Sequence, residues 1–328
     1  MHYLIPLINN YIFYSTYSFM ALCPVCNIKF DNNDFLSLSD HFIDMVNSSE
    51  PLHVMWLNRN ITKTRVNKDK LIILFKDFYD LKNAGIKSWI IDRFVREYRG
   101  ENPHPFILKM QEYNKYIMEG YAVEHYFFLK QWVRSCSAVI SKTDYIDIQR
   151  YELENMTTEY FGNNKKAHIE LLLEMAESYG ISRNKIMKTV PLKNTEDAIK
   201  RWRELAEKGQ WIETMAAMHS LELIANRVLR PYGAIYDYFN YDAFNNKNVP
   251  ESVREFLMEG YKSDDAHSFG ALDLIEKYSN KYNVEDMQDA YLSSTYVFYK
   301  YLEARIERGE MIENKQYLGM CPVQCNMG

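Results

Sequence analysis

The chain has 328 residues, 47% of them hydrophobic and 25% charged, with a formal net charge of −5. That is enough for one large globular domain with a core and a small appendage, and the acidic balance excludes the broad basic surface needed for non-specific nucleic-acid binding. No run of about 18 apolar residues occurs, so no helical membrane span is predicted.

The leading segment, MHYLIPLINNYIFYSTYSF (residues 1–19), is apolar and tyrosine-rich but lacks a positive start and is broken by Asn9 and Asn10, which makes it a poor signal peptide. Because Met20 directly precedes ALCPVC, the expectation is a weakly ordered leader ahead of a natural start at Met20. Five cysteines fall in two close pairs, Cys23/Cys26 and Cys321/Cys325, plus a lone Cys136. This suits an intracellular, cytoplasmic protein with a metal site better than a disulfide framework.

Residues 20–66 form the first predicted unit. In CPVCNIKFDNNDFLSLSDHF, a Cys-x-x-Cys knuckle is followed by Phe30, Leu36 and Leu38 and then by His41 on a short helix. A small finger places two thiolates on a turn and an imidazole on a helix in that order, and so short a segment needs metal to fold. The candidate ligands of a structural zinc are Cys23, Cys26, His41 and His53. The segment resembles the C2H2 zinc fingers in the thiolate half and in His41. It departs from them at the end, where 11 residues separate His41 from His53 against three to five in the usual finger. Either a longer helix and loop precede the last ligand, or His53 is a bystander.

Residues 67–328 read as an all-helical domain. Apolar periodicity predicts helices at about 67–82, 87–98, 106–118, 121–141, 144–156, 165–179, 182–188, 194–208, 211–229, 250–279 and 283–308. Asn194-Thr195-Glu196 supplies helix-start chemistry, and Gly180 is a C-terminal glycine. On 165–179, His168 shares the apolar stripe of Leu171, Leu172, Met175 and Tyr179, with Glu159 just upstream. On 211–229, Glu222 lies among Met215, Met218, Ala225 and Leu229. On 250–279, Asp264 and His267 share a face with Leu257, Gly260, Ala271 and Leu274.

A lone buried carboxylate is costly unless paired, protonated or bound to metal. Each residue has an ordinary explanation: a core histidine usually bonds a neighbour, and Glu222 could pair with Arg227 or Arg230. Together they are a set of carboxylate and imidazole donors on three segments, which is how a helical bundle holds iron, or manganese, with positions open for oxygen. Glu101-x-x-His104 mimics half of a ferritin ligand pair, but Pro103 and Pro105 break the helix it needs. The Cys321/Cys325 pair reads as ordinary thiols, Lys165 and Lys166 as a solvated helix start, and YLEARIERGEMIE as an exposed helix face.

Residues from about 103 to 280 resemble the haem-oxygenase-like superfamily that includes TenA and PqqC, and within it the branch of di-iron oxidases and oxygenases. The matching stretches are HPFILKM, YAVEHYFFLKQW, TEYFGNNKKAHIELLLEMAESYGI, MAAMHSLEL and DDAH. The resemblance implies a TenA/PqqC-like bundle in which Glu159, His168, Glu222, Asp264 and His267 ligate iron. Gly260 stands where the family's last motif has its first histidine, which leaves open a five-ligand site completed by water, a single-iron site or a degenerate site retained for structure. The same resemblance puts Glu124 at a pocket position, either touching substrate or bonding in the core. Tyr121, Tyr126, Trp132, Tyr236 and Tyr261 are candidates to line the pocket, with Tyr261 beside the missing histidine.

The reading that follows is an oxygen-activating iron enzyme that takes O2 and a small organic substrate; relatives oxidise fatty or amino-acid-derived substrates or consume a tyrosine of their own to make an aminobenzoate. It allows a homodimer and involves no membrane. Two rivals stand beside it: a finger that docks nucleic acid or a partner protein on an inactive scaffold, and a metal-free salvage hydrolase whose nucleophile would be Cys136.

Overall fold

The structure, a computed structural model, describes residues 20–31, 35–161 and 166–315, with the side chains of residues 20, 21, 31 and 262–267 outside that description. The leader, Lys165 and the Cys321/Cys325 pair therefore lie outside the described residues.

A two-stranded antiparallel hairpin opens the chain, β1 (Met20–Leu22) against β2 (Lys29–Asp31), with Ala21 opposite Phe30. Between the strands, the Asn27 N–H bonds the Cys23 carbonyl at 2.8 Å and Asn27 adopts a φ of 60°, which turns the two thiols to one side. Two helices follow, α1 (Phe35–Asn47) and α2 (Pro51–Asn60). Leu38 and Phe42 of α1 are buried, whereas Leu36 is exposed.

Twelve more helices complete the described chain: α3 (Lys68–Tyr79), α4 (Gly85–Tyr98), α5 (Pro105–Lys109), α6 (Lys115–Ser141), α7 (Ile146–Phe161), α8 (His168–Ser178), α9 (Arg183–Lys188), α10 (Lys193–Lys208), α11 (Trp211–Met218), α12 (Tyr241–Phe244), α13 (Glu251–Tyr278) and α14 (Val284–Glu313). The long helices α6 and α14 form the spine. They cross with backbone touching backbone, because a Cβ on Gly309 would lie 2.6 Å from the Tyr116 carbonyl oxygen and one on Gly120 would collide with the Arg305 carbonyl. Only glycine permits that approach. Gly120 therefore sits inside one continuous helix instead of separating two. The predicted 106–118 helix is replaced by α5 and by a start at Lys115, where the Asn114 side chain accepts from the N–H groups of Tyr116 and Ile117.

Other boundaries move for local reasons. Gly180 has φ 77° and ends α8 in a Schellman motif, with Ile181 N–H on the Ala176 carbonyl and Gly180 N–H on that of Glu177. Helix α10 begins one residue before the Asn194-Thr195-Glu196 triplet, with Leu192 rather than a polar residue at its cap. Most consequential, α11 stops at Met218 and the chain continues as a 3-10 turn over His219–Ile224.

The finger and the bundle share one core. Successive ring contacts run from Phe42 to Trp56 (5.3 Å), Trp56 to Phe78 (5.6 Å), Phe78 to Trp89 (5.9 Å) and Trp89 to Tyr291 of α14 (5.4 Å). Among the described residues no helix is long and apolar enough to cross a membrane.

Candidate metal centres

The finger's four donors converge. Donor atoms of Cys23, Cys26, His41 and His53 all lie within 4.8 Å of one another. Cys23 Sγ is 3.5 Å from His53 Nε2, Cys26 Sγ is 3.4 Å from His41 Nε2, and the two Nε2 atoms are 3.1 Å apart. Bond lengths usual for zinc predict tetrahedron edges of about 3.6 Å for sulfur to nitrogen and about 3.3 Å for nitrogen to nitrogen, so the donor set fits that ion in kind and spacing. The long gap before His53 is accommodated by the last turn of α1 and the Ser48–Glu50 bend, which deliver His53 on the first turn of α2. Glu50 fixes its ring: the carboxylate accepts from the His53 N–H at 2.8 Å and meets Nδ1 at 2.5 Å, leaving Nε2 for the cluster.

The second centre lies inside the bundle. Glu159 at the end of α7, His168 at the start of α8 and Glu222 on the 3-10 turn line one cavity, walled also by Tyr121, His125, Trp132, Phe256, Gly260 and Arg305, among others. The empty space within this wall, its open mouth included, is about 610 Å³. His168 Nδ1–H donates to Glu159 at 3.1 Å, and His168 makes no other hydrogen bond among the described residues. Burial draws the His168 pKa down, but the Glu159 carboxylate outweighs it, and the net displacement is upward.

Glu222 is held by His219, not by Arg227 or Arg230: His219 Nδ1 is 3.2 Å from Glu222, while its Nε2 meets Glu152 at 2.8 Å. His219 and Glu222 are three residues apart, which the 3-10 turn places directly above one another on one side. Burial opposes a charge on His219, yet two carboxylates raise its pKa to about 10. It is a cation bridging Glu152 and Glu222. Cys136, Glu152 and His219 form the other tight donor set among the described residues; burial first, and Glu152 next, push the Cys136 thiol far above its ordinary range. The cavity's Glu159, His168 and Glu222 are spaced more widely than either tight set.

The remaining expected site residues fall elsewhere. Asp264 and His267 sit on α13, which packs on α8 and the 3-10 turn, with side chains outside the described residues. Glu124 is fully buried and accepts from Arg308 Nε at 2.6 Å and from the Leu192 N–H at 3.2 Å; it joins α6 to α14 and to the start of α10 and does not line the cavity. Tyr261 stacks on Phe239 at 4.4 Å, with its hydroxyl 3.4 Å from the Phe239 backbone, and faces a separate cleft. Tyr121 and Trp132 line the cavity, whereas Tyr126 and Tyr236 do not. His104 caps α5, accepting from the Phe106 N–H at Nδ1 and donating from Nε2 to the Tyr299 carbonyl, each at 3.0 Å.

Sequence reasoning missed His219, Glu152, His125, Arg305 and Arg308. The segment YLEARIERG is not an exposed face: Arg305 and Arg308 continue the buried stripe of Phe298, Tyr301 and Leu302 at helical spacing, a periodicity visible in the sequence but masked by the charges.

The profile of the TENA/THI-4/PQQC family matches residues 92–308, and that of a C2H2 type zinc-finger matches residues 20–80. A protein named 4-aminobenzoate synthase from Chlamydia pneumoniae is 25% identical over 161 residues, covering 48% of this chain and 70% of its own. The solved domain of unknown function with a haem-oxygenase-like fold from Shewanella denitrificans OS217 superposes with a TM-score of 0.51 at 13% identity, over 79% of this chain and 100% of that one. The latter likeness is one of fold.

Proposed function

The chain belongs to the TENA/THI-4/PQQC family, and from that premise we propose that its buried cavity binds iron, one or two ions, and oxidises a small organic substrate with dioxygen, while the finger holds a structural zinc. The observation that carries this reading is that Glu159, His168 and Glu222, from three separate elements, share the wall of one largely apolar cavity. Carboxylate oxygen with imidazole nitrogen is the donor chemistry that suits iron. Glu159, His168 and Glu222 would hold it, with Asp264 and His267 of α13 completing the set. Bound there with open coordination positions, iron supplies the binding and reduction of dioxygen.

The chain's own residues prepare the chamber. Glu159 orients His168 through Nδ1, leaving Nε2 unspent, and the His219 cation, anchored on Glu152, sets the direction of Glu222. Phe128, Trp132, Phe256 and Phe298 exclude bulk water from the cavity. The name of the chlamydial relative makes an aromatic acid the first product to look for. The rival hydrolase finds no support in Cys136, whose thiol is buried off the cavity and pushed away from ionisation by burial and by Glu152. In the finger, Cys23, Cys26, His41 and His53 would ligate zinc, and the core shared with α3 makes that ion part of the whole fold.

Metal analysis tests the proposal. Wild-type protein is expected to carry about one zinc and at least about one iron per chain, and His168→Ala to lose the iron while keeping the zinc. Iron retained undiminished in His168→Ala, or absent from wild type reconstituted with Fe(II) under nitrogen, would overturn it.

A further inference from the structure

Three guanidiniums are almost wholly buried: Arg99 (0% exposed), Arg308 (1%) and Arg305 (2%). Arg99 meets the Asp237 carboxylate at 3.2 Å and Arg308 meets Glu124 at 2.6 Å. Among the described residues Arg305 meets no carboxylate. Its Nη1 donates to the Tyr238 hydroxyl at 3.1 Å, and its Nη2 to His125 Nδ1 at 2.9 Å and to the Tyr301 hydroxyl at 2.8 Å, all neutral acceptors. The rings of Tyr121, Tyr301 and Phe106 stand 4.0, 4.6 and 5.1 Å from its guanidinium carbon, which lets the fold tolerate the charge but does not neutralise it.

Of the five N–H donors of an arginine, two are unspent among the described residues, one on Nη1 and the Nε–H, which is buried with no partner there. Arg305 and His125 both line the cavity that holds Glu159, His168 and Glu222. Because His125 Nδ1 accepts from Arg305, the proton of its neutral ring is on Nε2, and no hydrogen bond among the described residues uses it. Burial first, then Arg305 and His168, hold His125 in that neutral form.

We propose that Arg305, with His125 beside it, is the anion anchor of the cavity, and that the substrate carries a carboxylate on a small apolar or aromatic body. A buried cation with spare donors beside a cavity is a recognition group for an anion, through charge-assisted hydrogen bonds. A phosphate dianion would call for a second cation, and the neighbouring Arg308 is spent on Glu124. The anchor and the iron donors are close: the His125 and His168 ring centres are 6.3 Å apart, so the carboxylate and the carbon to be oxidised are only a few bonds from one another. The rest of the wall, including Phe128, Leu129, Leu221 and Leu257, is apolar and suits a hydrocarbon body. The inference rests on the cavity being the reaction chamber, but it is tested on binding alone.

Full-length protein titrated calorimetrically with butyrate, benzoate, benzamide and inorganic phosphate is expected to bind at least one of the two acids, and to prefer benzoate over its neutral amide by about tenfold or more. Arg305→Gln should abolish that preference. Arg305→Lys, which keeps the charge and loses the guanidinium's directed donors, should retain part of it, and circular dichroism of both variants identifies any loss of fold. His168→Ala is expected to lose iron but keep acid binding, which separates failure of the anchor from failure of the iron reading. Acids and amide binding alike in wild type, neither acid binding at millimolar concentration, phosphate matching benzoate, or acid preference surviving in folded Arg305→Gln would each overturn the proposal.

Discussion

The finger and the cavity bring together similar donor types under opposite conditions. In the finger, two thiols and two imidazoles sit at the spacing of tetrahedron edges, with Glu50 locking His53 from behind. All four positions of a tetrahedral ion are taken by protein donors, as expected where a metal is asked only to hold structure. In the cavity, Glu159, His168 and Glu222 stand farther apart around free space, each already engaged by a protein partner. On the proposed reading, a centre that admits oxygen and a substrate needs that looseness, and Glu152 and His219 supply behind Glu222 the rigidity that Glu50 gives His53 in the finger.

The largest expected effect breaks the closed side of this contrast. Cys23→Ser should remove the zinc and, because Phe42 and Trp56 join the finger to Phe78 and Trp89, unfold about the first 80 residues, since structural zinc contributes about 10 kcal/mol or more to small finger domains. Zinc content and tryptophan fluorescence report it; an unchanged melting curve with zinc lost would show the finger to be dispensable for the fold.

Next come two variants that divide fold-holding from ion-holding carboxylates. Glu124→Ala leaves Arg308 buried without its partner and should cost about 3–5 kcal/mol, read as a lowered denaturation midpoint, with iron content unchanged. Glu222→Ala should do the reverse, depleting iron while costing less stability. If Glu124→Ala also stripped iron, the division drawn here would fail.

A smaller effect comes from a histidine outside both centres. Burial depresses the His104 pKa to about 3, so between that value and the ordinary 6.5 the unfolded chain binds the proton and the native chain does not. Stability therefore falls as pH is lowered through this window, by about 2 kcal/mol between pH 7 and pH 5 from this residue. His104→Asn, which can still cap α5, should flatten that part of the pH–stability profile; an identical slope would refute the assignment. The least effect is expected of Tyr261→Phe, below about 1 kcal/mol and without change in iron, since its hydroxyl makes only long contacts to the Phe239 backbone.

How much of this was legible beforehand varies by element. The Cys-x-x-Cys knuckle with His41 was readable because the order of ligands is local, and His53 stayed open because its approach depends on where α2 packs. Glu159 and His168 were legible as neighbours, but Glu222 was placed by α-helical periodicity on a segment that turns 3-10, which hid its bond to His219. Glu124 and Arg308 could not be paired from sequence, lying 184 residues apart. The charges of YLEARIERG suggested solvent, and only packing against α6 shows that Arg305 and Arg308 face inward.

Helical class, the finger's thiol turn, the α8 end at Gly180 and the residue types available for metal chemistry follow from composition and short-range spacing, because hydrogen bonding, φ preference and amphipathic period act within a turn or two. Which of those polar groups are neutralised and which stay available is a long-range matter. Arg308 found Glu124 and Arg305 found only tyrosines and a histidine because α6 and α14 cross at Gly120 and Gly309, and burial makes the presence or absence of a counter-charge there decisive.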